Sequence, residues 1–188
     1  MNKKNVLAIS GSTRERSTNL HYIHAIAALS TNELNITIYK GVSGYNGLSD
    51  LPHFNPDLDT DDPPAAVTDF RRLLKEADGV LICTPEYAMG VPGALKNALD
   101  WVVSSSGFSG KPVALITASS MGQKAHESLL GTLRVIEAKL DDSTQLLIPF
   151  AGAKLGSDQR IKDPETLEKV EGVIKGFVRL MEGVGNVH

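Results

Sequence analysis

Five short apolar runs alternate along this chain with five stretches of helical spacing, and that alternation constrains the fold more than any other feature. The runs are Val6-Leu7-Ala8-Ile9, Asn35-Ile36-Thr37-Ile38-Tyr39, Val80-Leu81-Ile82-Cys83, Val113 to Thr117 and Gln145 to Phe150. Short apolar runs flanked by turn residues read as buried strands of a parallel sheet. Asn35 to Tyr39 reads as a strand from its alternation of polar and apolar residues, β-branched among them. Between them, Leu20, Ile23, Ala27 and Ala28 mark a helix from about Ser17 to Leu29. Pro63-Pro64 opens a second, with Val67, Phe70, Leu73, Leu74 and Ala77 on one face, and Pro92 opens a third, with Leu95, Ala98, Leu99 and Val102. Leu129, Leu130, Leu133 and Ile136 mark a fourth over about Gln123 to Leu140. Leu167, Val170, Ile174, Phe177, Val178 and Met181 form the stripe of a fifth, capped by Asp163-Pro164.

Strands joined by helices of this length require right-handed crossovers with helices on both faces of the sheet. The expected fold is a flavodoxin-like three-layer α/β sandwich, a five-stranded parallel sheet in the order 2-1-3-4-5, forming one domain over residues 1–188. In such sheets ligands bind outside the carboxyl ends of the strands, where the strand order reverses. Three unusual loops, beginning at Gly11, Pro85 and Ser119, come after strands one, three and four and so converge on that rim.

Several function classes are excluded. A net charge of −3 with no dense Lys/Arg cluster argues against a nucleic-acid surface. No stretch reaches the roughly 18 consecutive apolar residues of a membrane span. One cysteine, Cys83, rules out an internal disulfide and a thiolate zinc site; its place in a buried run marks it as a small core residue. His21 and His24 lack partner ligands and read as ordinary histidines. No signal-peptide pattern is present, so the expected location is the cytoplasm. From Gly41 to Pro64 the chain holds three glycines and two prolines before Asp57, then Asp57-Leu58-Asp59-Thr60-Asp61-Asp62, and reads as a long, solvated acidic loop.

The first rim loop, Gly11-Ser12-Thr13-Arg14-Glu15-Arg16-Ser17-Thr18-Asn19-Leu20, joins a strand to a helix start. Unpaired N–H groups and the positive end of the helix dipole suit an anion there, with hydroxyls, Asn19 and Arg14 or Arg16 as further donors. Ser17 as a plain helix cap with solvated arginines is the competing reading. The second, Thr84-Pro85-Glu86-Tyr87-Ala88-Met89-Gly90-Val91-Pro92-Gly93, is stiffened by prolines and offers Tyr87 and Met89 to a ring. A simple strand-to-helix turn competes with that reading. The third, Ser119-Ser120-Met121-Gly122, is polar and flexible. Together they suit a planar heterocycle with a monophosphate, and FMN fits well.

Three stretches resemble the NAD(P)H-dependent FMN reductases, with their related quinone, chromate and azo-dye reductases. They are Gly11 to Asn19, Pro85-Glu86-Tyr87, and Pro92-Gly93-Ala94-Leu95-Lys96-Asn97-Ala98-Leu99-Asp100-Trp101. Asp50-Leu51-Pro52 also looks like that family's loop after strand two. The resemblance implies that Ser12, Arg14, Ser17, Thr18, Asn19 and Leu20 surround the FMN phosphate. It further implies that Pro85, Glu86, Tyr87, Ala88 and Met89 lie along the isoalloxazine, and that Ser119, Ser120 and Gly122 form a third wall. Two positions depart from the family pattern, which commonly has Asn at Ala88 and often Ser at Gly90.

The implied activity is a ping-pong cycle in which NADPH or NADH gives a hydride to FMN, and a small-molecule acceptor (quinone, azo compound, metal oxyanion or flavin) then takes the electrons. No protein acid or base is required. The resemblance implies a homodimer or homotetramer packed through the helix around Leu95 to Trp101, whereas Trp101 covering its own core is the alternative. A non-enzymatic electron carrier of the flavodoxin type, or another FMN-binding protein, is the rival function.

Overall fold

The computed structural model describes residues 2–44 and 47–184, the last of these by its backbone alone, so Tyr45, Asn46 and both ends of the 1–188 span lie outside the described residues. Five parallel strands, β1 (Lys4–Ser10), β2 (Leu34–Ile38), β3 (Gly79–Thr84), β4 (Val113–Ala118) and β5 (Gln145–Ile148), form a sheet in the order β2-β1-β3-β4-β5. This is the expected flavodoxin-like sandwich. The helices are α1 (Thr18–Leu29), α2 (Ala65–Glu76), α3 (Gly93–Asp100), α4 (Gln123–Val135) and α5 (Pro164–Val184).

Alternation along each strand builds two cores. Val6 and Ala8 of β1, Leu81 and Cys83 of β3 and Ile116 of β4 pack under α1 and α5, against Ile23, Ile26, Val170 and Phe177. Leu7, Ile9, Val80, Ile82 and Leu115 face the other way, onto Phe70, Leu74, Leu95, Leu99 and Leu129 of α2 to α4. Every residue of β3 and β4 is buried, as their continuous apolar runs require.

Two elements are shorter than the sequence suggests. Helix α4 ends at Val135, not near Leu140, because Glu137 turns left-handed (φ 62°) and the chain then pairs beside β4, where Val113 N–H donates to Lys139 O at 2.8 Å. Strand β5 stops at Ile148, because Phe150 also turns left-handed (φ 51°).

The described residues of the 41–64 segment are anchored at several points. Leu48 and Leu51 are buried in the core. Asn97 Nδ2 and Trp101 Nε1 both donate to Pro52 O, at 2.9 and 2.7 Å, while Phe54 N–H donates to Asn97 Oδ1 at 2.7 Å. Nor is the acidic run uniformly solvated. Asp59 pairs with Arg71 at 2.6 Å, and Arg71 also donates to Trp101 O and Ser104 Oγ. That guanidinium holds the Asp59 carboxyl below its usual range.

Trp101 is completely buried within its own chain, its ring edge-on to Phe54 at 5.1 Å. It therefore covers its own core and is not available to a partner subunit. The Asn97 and Trp101 side chains hold the loop after β2 in place.

Candidate functional site

At the end of β1, Gly11 N–H donates to Cys83 O at 2.8 Å, so the chain leaves the sheet tight against β3. A Cβ on Gly11 would stand 2.2 Å from Thr84 Oγ1, and Thr84 is itself fully buried; only glycine permits this approach. The chain then turns through Ser12, whose N–H donates to Ser10 Oγ and whose Oγ accepts from Arg14 N–H, both at 3.3 Å. Ser12 Oγ also lies 3.2 Å from Tyr87 Oη, joining the loop after β1 to the loop after β3.

Ser17 is the N-cap of α1, in extended backbone conformation, yet its hydroxyl makes no capping bond. Its Oγ is buried and has no hydrogen-bond partner. The first helical bond is His21 N–H to Ser17 O, which leaves the N–H groups of Thr18, Asn19 and Leu20 without helical acceptors. The first turn of α1 carries no acidic residue. An orphaned buried hydroxyl beside three free N–H groups at the positive end of a helix is the environment an anion completes. The residues present fit the phosphate of FMN.

Asn19 is a partial exception. It is buried, and its Oδ1 accepts from Cys83 Sγ at 3.3 Å, so its side chain faces the core as much as the cleft. Burial pushes the Cys83 thiol far above its ordinary range, which keeps it protonated and inert.

The loop after β3 is cross-braced to the loop after β4. Glu86 N–H donates to Ser119 Oγ at 3.1 Å, and Glu86 Oε2 accepts from Ala125 N–H in the first turn of α4 at 2.9 Å. A carboxylate at a helix N-terminus is favourably placed. Beyond it, Tyr87 and Gly90 exchange both backbone bonds at 3.0 Å, with Ala88 (φ 48°) and Met89 (φ 61°) both left-handed. This is a type I′ hairpin turn, whose central positions favour Asn and Gly. Ala88 and Met89 sit there at some cost.

A cleft of about 240 Å³ brings together Ser12, Arg14, Ser17, Thr18, Asn19, Pro85, Glu86, Tyr87, Ser119 and Ser120. Ten of the residues expected from sequence thus share one wall-to-wall site. Leu20 faces a neighbouring cleft on the β2 side, and Ala88 and Met89 form the exposed turn tip outside the pocket. Gly122 is buried as the left-handed N-cap of α4 (φ 95°), where a Cβ would press Leu147 Cδ1 at 2.8 Å; it shapes the wall without lining it.

Ala118, Ala151 and Gly152 complete the lining and were not expected from the sequence. The latter two come just after β5. Ala151 N–H donates to Ser119 O at 3.0 Å, and Ala151 O accepts from Tyr22 Oη at 3.1 Å, which draws this segment to the rim. Its position past a strand end was the available signal. Among the described residues, no group of three or more His, Cys, Asp or Glu could hold a metal ion, and no helix is long and apolar enough to cross a membrane.

Residues 4–152 match the family model described as NADPH-dependent FMN reductase. The chain is 31% identical to a 2-hydroxy-1,4-benzoquinone reductase of a Burkholderia species, over 86% of this chain and 87% of that protein. It is 32% identical to a quinone reductase of Escherichia coli K12, over 90% of this chain and 86% of that one. Among solved structures it superimposes on FerB, a flavoenzyme NAD(P)H:(acceptor) oxidoreductase of Paracoccus denitrificans. That match has a TM-score of 0.81 at 25% identity and covers 96% of this chain and 98% of that one. The chain belongs to the NADPH-dependent FMN reductase family and is an FMN-binding, NAD(P)H-dependent oxidoreductase.

Proposed function

We propose that this protein carries electrons from NAD(P)H through FMN to a quinone-type small molecule, in a single domain built around the rim cleft. The observation that carries the site assignment is the buried, unpartnered Ser17 hydroxyl beside the free N–H groups of Thr18, Asn19 and Leu20. In this reading Ser12, Arg14, Ser17 and the α1 N-terminus bind the phosphate, and Arg14 adds a charge-assisted bond. A cleft of about 240 Å³ lies below the roughly 300–1,000 Å³ of an enclosing ligand site, so a bound FMN would also need the exposed loop from Pro85 to Met89.

Bound FMN supplies the two-electron chemistry, accepting a hydride and returning electrons to the second substrate. The protein's part is positional. The β3 and β4 loops are locked together by Glu86, and Pro85-Glu86-Tyr87 and Ser119-Ser120 are the residues that would hold the flavin ring. Tyr87, hydrogen-bonded to Ser12, couples that wall to the phosphate loop. Glu86 is the sole carboxylate among the described residues lining the cleft, and its acceptor bond to α4 directs charge away from the phosphate end.

The subunit proposed to pair as a homodimer or homotetramer presents the outward side of α3, with Lys96, and the exposed Val103 just beyond that helix, since Trp101 is internal. A cytoplasmic location is part of this proposal.

Steady-state kinetics with NADPH and a quinone test this directly. Parallel double-reciprocal lines and bleaching of bound flavin by NADPH are expected. Flavin that binds but stays oxidised with NADPH and NADH would favour a pure carrier. Arg14→Ala is expected to weaken FMN binding by about 1.5–3 kcal/mol; unchanged affinity would remove Arg14 from the site.

A further inference from the structure

Phe150 combines two features that its own fold does not repay. Its backbone is left-handed (φ 51°, ψ 36°), a region unfavourable for a bulky residue. Its side chain is nevertheless 65% exposed, so little burial offsets the strain. The left-handed turn has a clear backbone purpose: it lets Phe150 N–H donate to Ser120 O at 3.1 Å while Ala151 N–H reaches Ser119 O. Glycine or asparagine would make the same bonds at lower cost. The ring itself must therefore serve something outside the fold.

Its neighbours indicate what. Met121, next to Ser120 in sequence, is 64% exposed, Tyr87 of the cleft lining is 46% exposed, and Met89, at the turn tip outside the pocket, is 70% exposed. These four are among ten exposed large hydrophobic residues described in the whole chain, yet all lie in the loops after β3, β4 and β5. Met89 shares the left-handed strain. Met121 follows Ser120 in the chain and Phe150 precedes Ala151, and both Ser120 and Ala151 line the cleft together with Tyr87. Exposed aromatic and thioether side chains beside a hydroxyl-lined cleft suit a small planar ring bearing carbonyl oxygens.

We propose that Phe150, beside the cleft, is a specificity-determining wall on which the planar aromatic electron acceptor stacks. This rests on the flavin reading of the adjoining cleft and extends it to a residue outside the cleft lining. Phe150 acts on acceptor binding and not on flavin reduction.

The test compares wild type, Phe150→Gly and Phe150→Tyr as FMN-loaded enzymes, with two acceptors: a naphthoquinone, which can stack, and ferricyanide, which cannot. In Phe150→Gly the naphthoquinone KM is expected to rise roughly three- to tenfold with kcat little changed, the worth of one ring pair. Ferricyanide kinetics and the rate of flavin bleaching by NADPH stay at wild-type values, and thermal stability rises because the strain is gone. Phe150→Tyr restores the naphthoquinone KM to within about twofold. Equal changes for both acceptors, or none, would overturn the proposal. So would a change of oligomeric state by gel filtration that accompanies the loss, since the ring would then be covered by a second copy. Loss of NADPH-dependent bleaching in the wild type would instead contradict the flavin reading itself.

Discussion

Ser17→Ala should move stability and cofactor affinity in opposite directions. An N-cap serine replaced by alanine ordinarily costs about 0.5–2 kcal/mol because a capping bond is lost. Here no such bond exists, since Ser17 Oγ is buried without a partner. A buried, unsatisfied polar group costs about 1–3 kcal/mol, and removing it returns part of that. The FMN-free variant is therefore expected to gain about 1 kcal/mol, or about 2–4 °C in Tm for a domain of this size. FMN binding should weaken by about 1.5–3 kcal/mol, the worth of a hydrogen bond to a charged group, which is about 10- to 150-fold in Kd. Thermal unfolding of the flavin-free protein in phosphate-free buffer gives the first number, and quenching of FMN fluorescence on titration gives the second. A variant that loses 1 kcal/mol or more without FMN, yet binds FMN as tightly as wild type, would show Ser17 to be an ordinary cap and refute the reasoning.

Glu86→Gln replaces the carboxylate that accepts from Ala125 N–H and so weakens the brace between two cleft walls; an FMN affinity lower by about 3- to 10-fold is expected by fluorescence titration, and no change would argue against that role. Arg71→Ala removes the donor shared by Asp59, Trp101 O and Ser104 and strands Asp59; it should cost about 2–3 kcal/mol, seen as a Tm lower by about 4–12 °C, with a fall under 2 °C contradicting the anchor. His126, bonded to Thr117 Oγ1 at 2.8 Å, is held by burial below its ordinary pKa of 6.5 despite Glu127 and Gln145. The folded state therefore binds its proton less readily than the unfolded chain. Its contribution is complete above about pH 6.5 and is lost as pH falls toward the lower folded value. Denaturant titrations from pH 7.5 to 5 should show this decline, and His126→Gln should flatten it.

The strand order and the meeting of three loops were legible because both arise from local signals. Apolar runs set the strands, helical stripes set the crossovers, and the rim rule then brings the loops after β1, β3 and β4 together. The features that escaped depend on long-range partners. Nothing local in Asp50-Leu51-Pro52 shows that Asn97 and Trp101, some forty-five residues on, donate to Pro52 O. A bulky apolar helix end suits an interface and a core equally, so Trp101 could not be placed from pattern alone; its indole bond to Pro52 fixes it inside. The acidic run looked solvated because Arg71 lies on another element. Ala151 and Gly152 carry no chemical signature, and Phe150, a residue enriched in strands, hid the left-handed turn that brings them to Ser119. The departure at Ala88 acquires a physical meaning only with the type I′ turn, where asparagine is the less strained choice.

The most direct measurement is the absorbance spectrum of the purified protein loaded with FMN, before and after anaerobic NADPH and again after a quinone. Flavin bands that bleach with NADPH and return with the quinone are the expected result. A protein that takes up no FMN, or whose bound flavin stays oxidised with both NADPH and NADH, would contradict the central assignment.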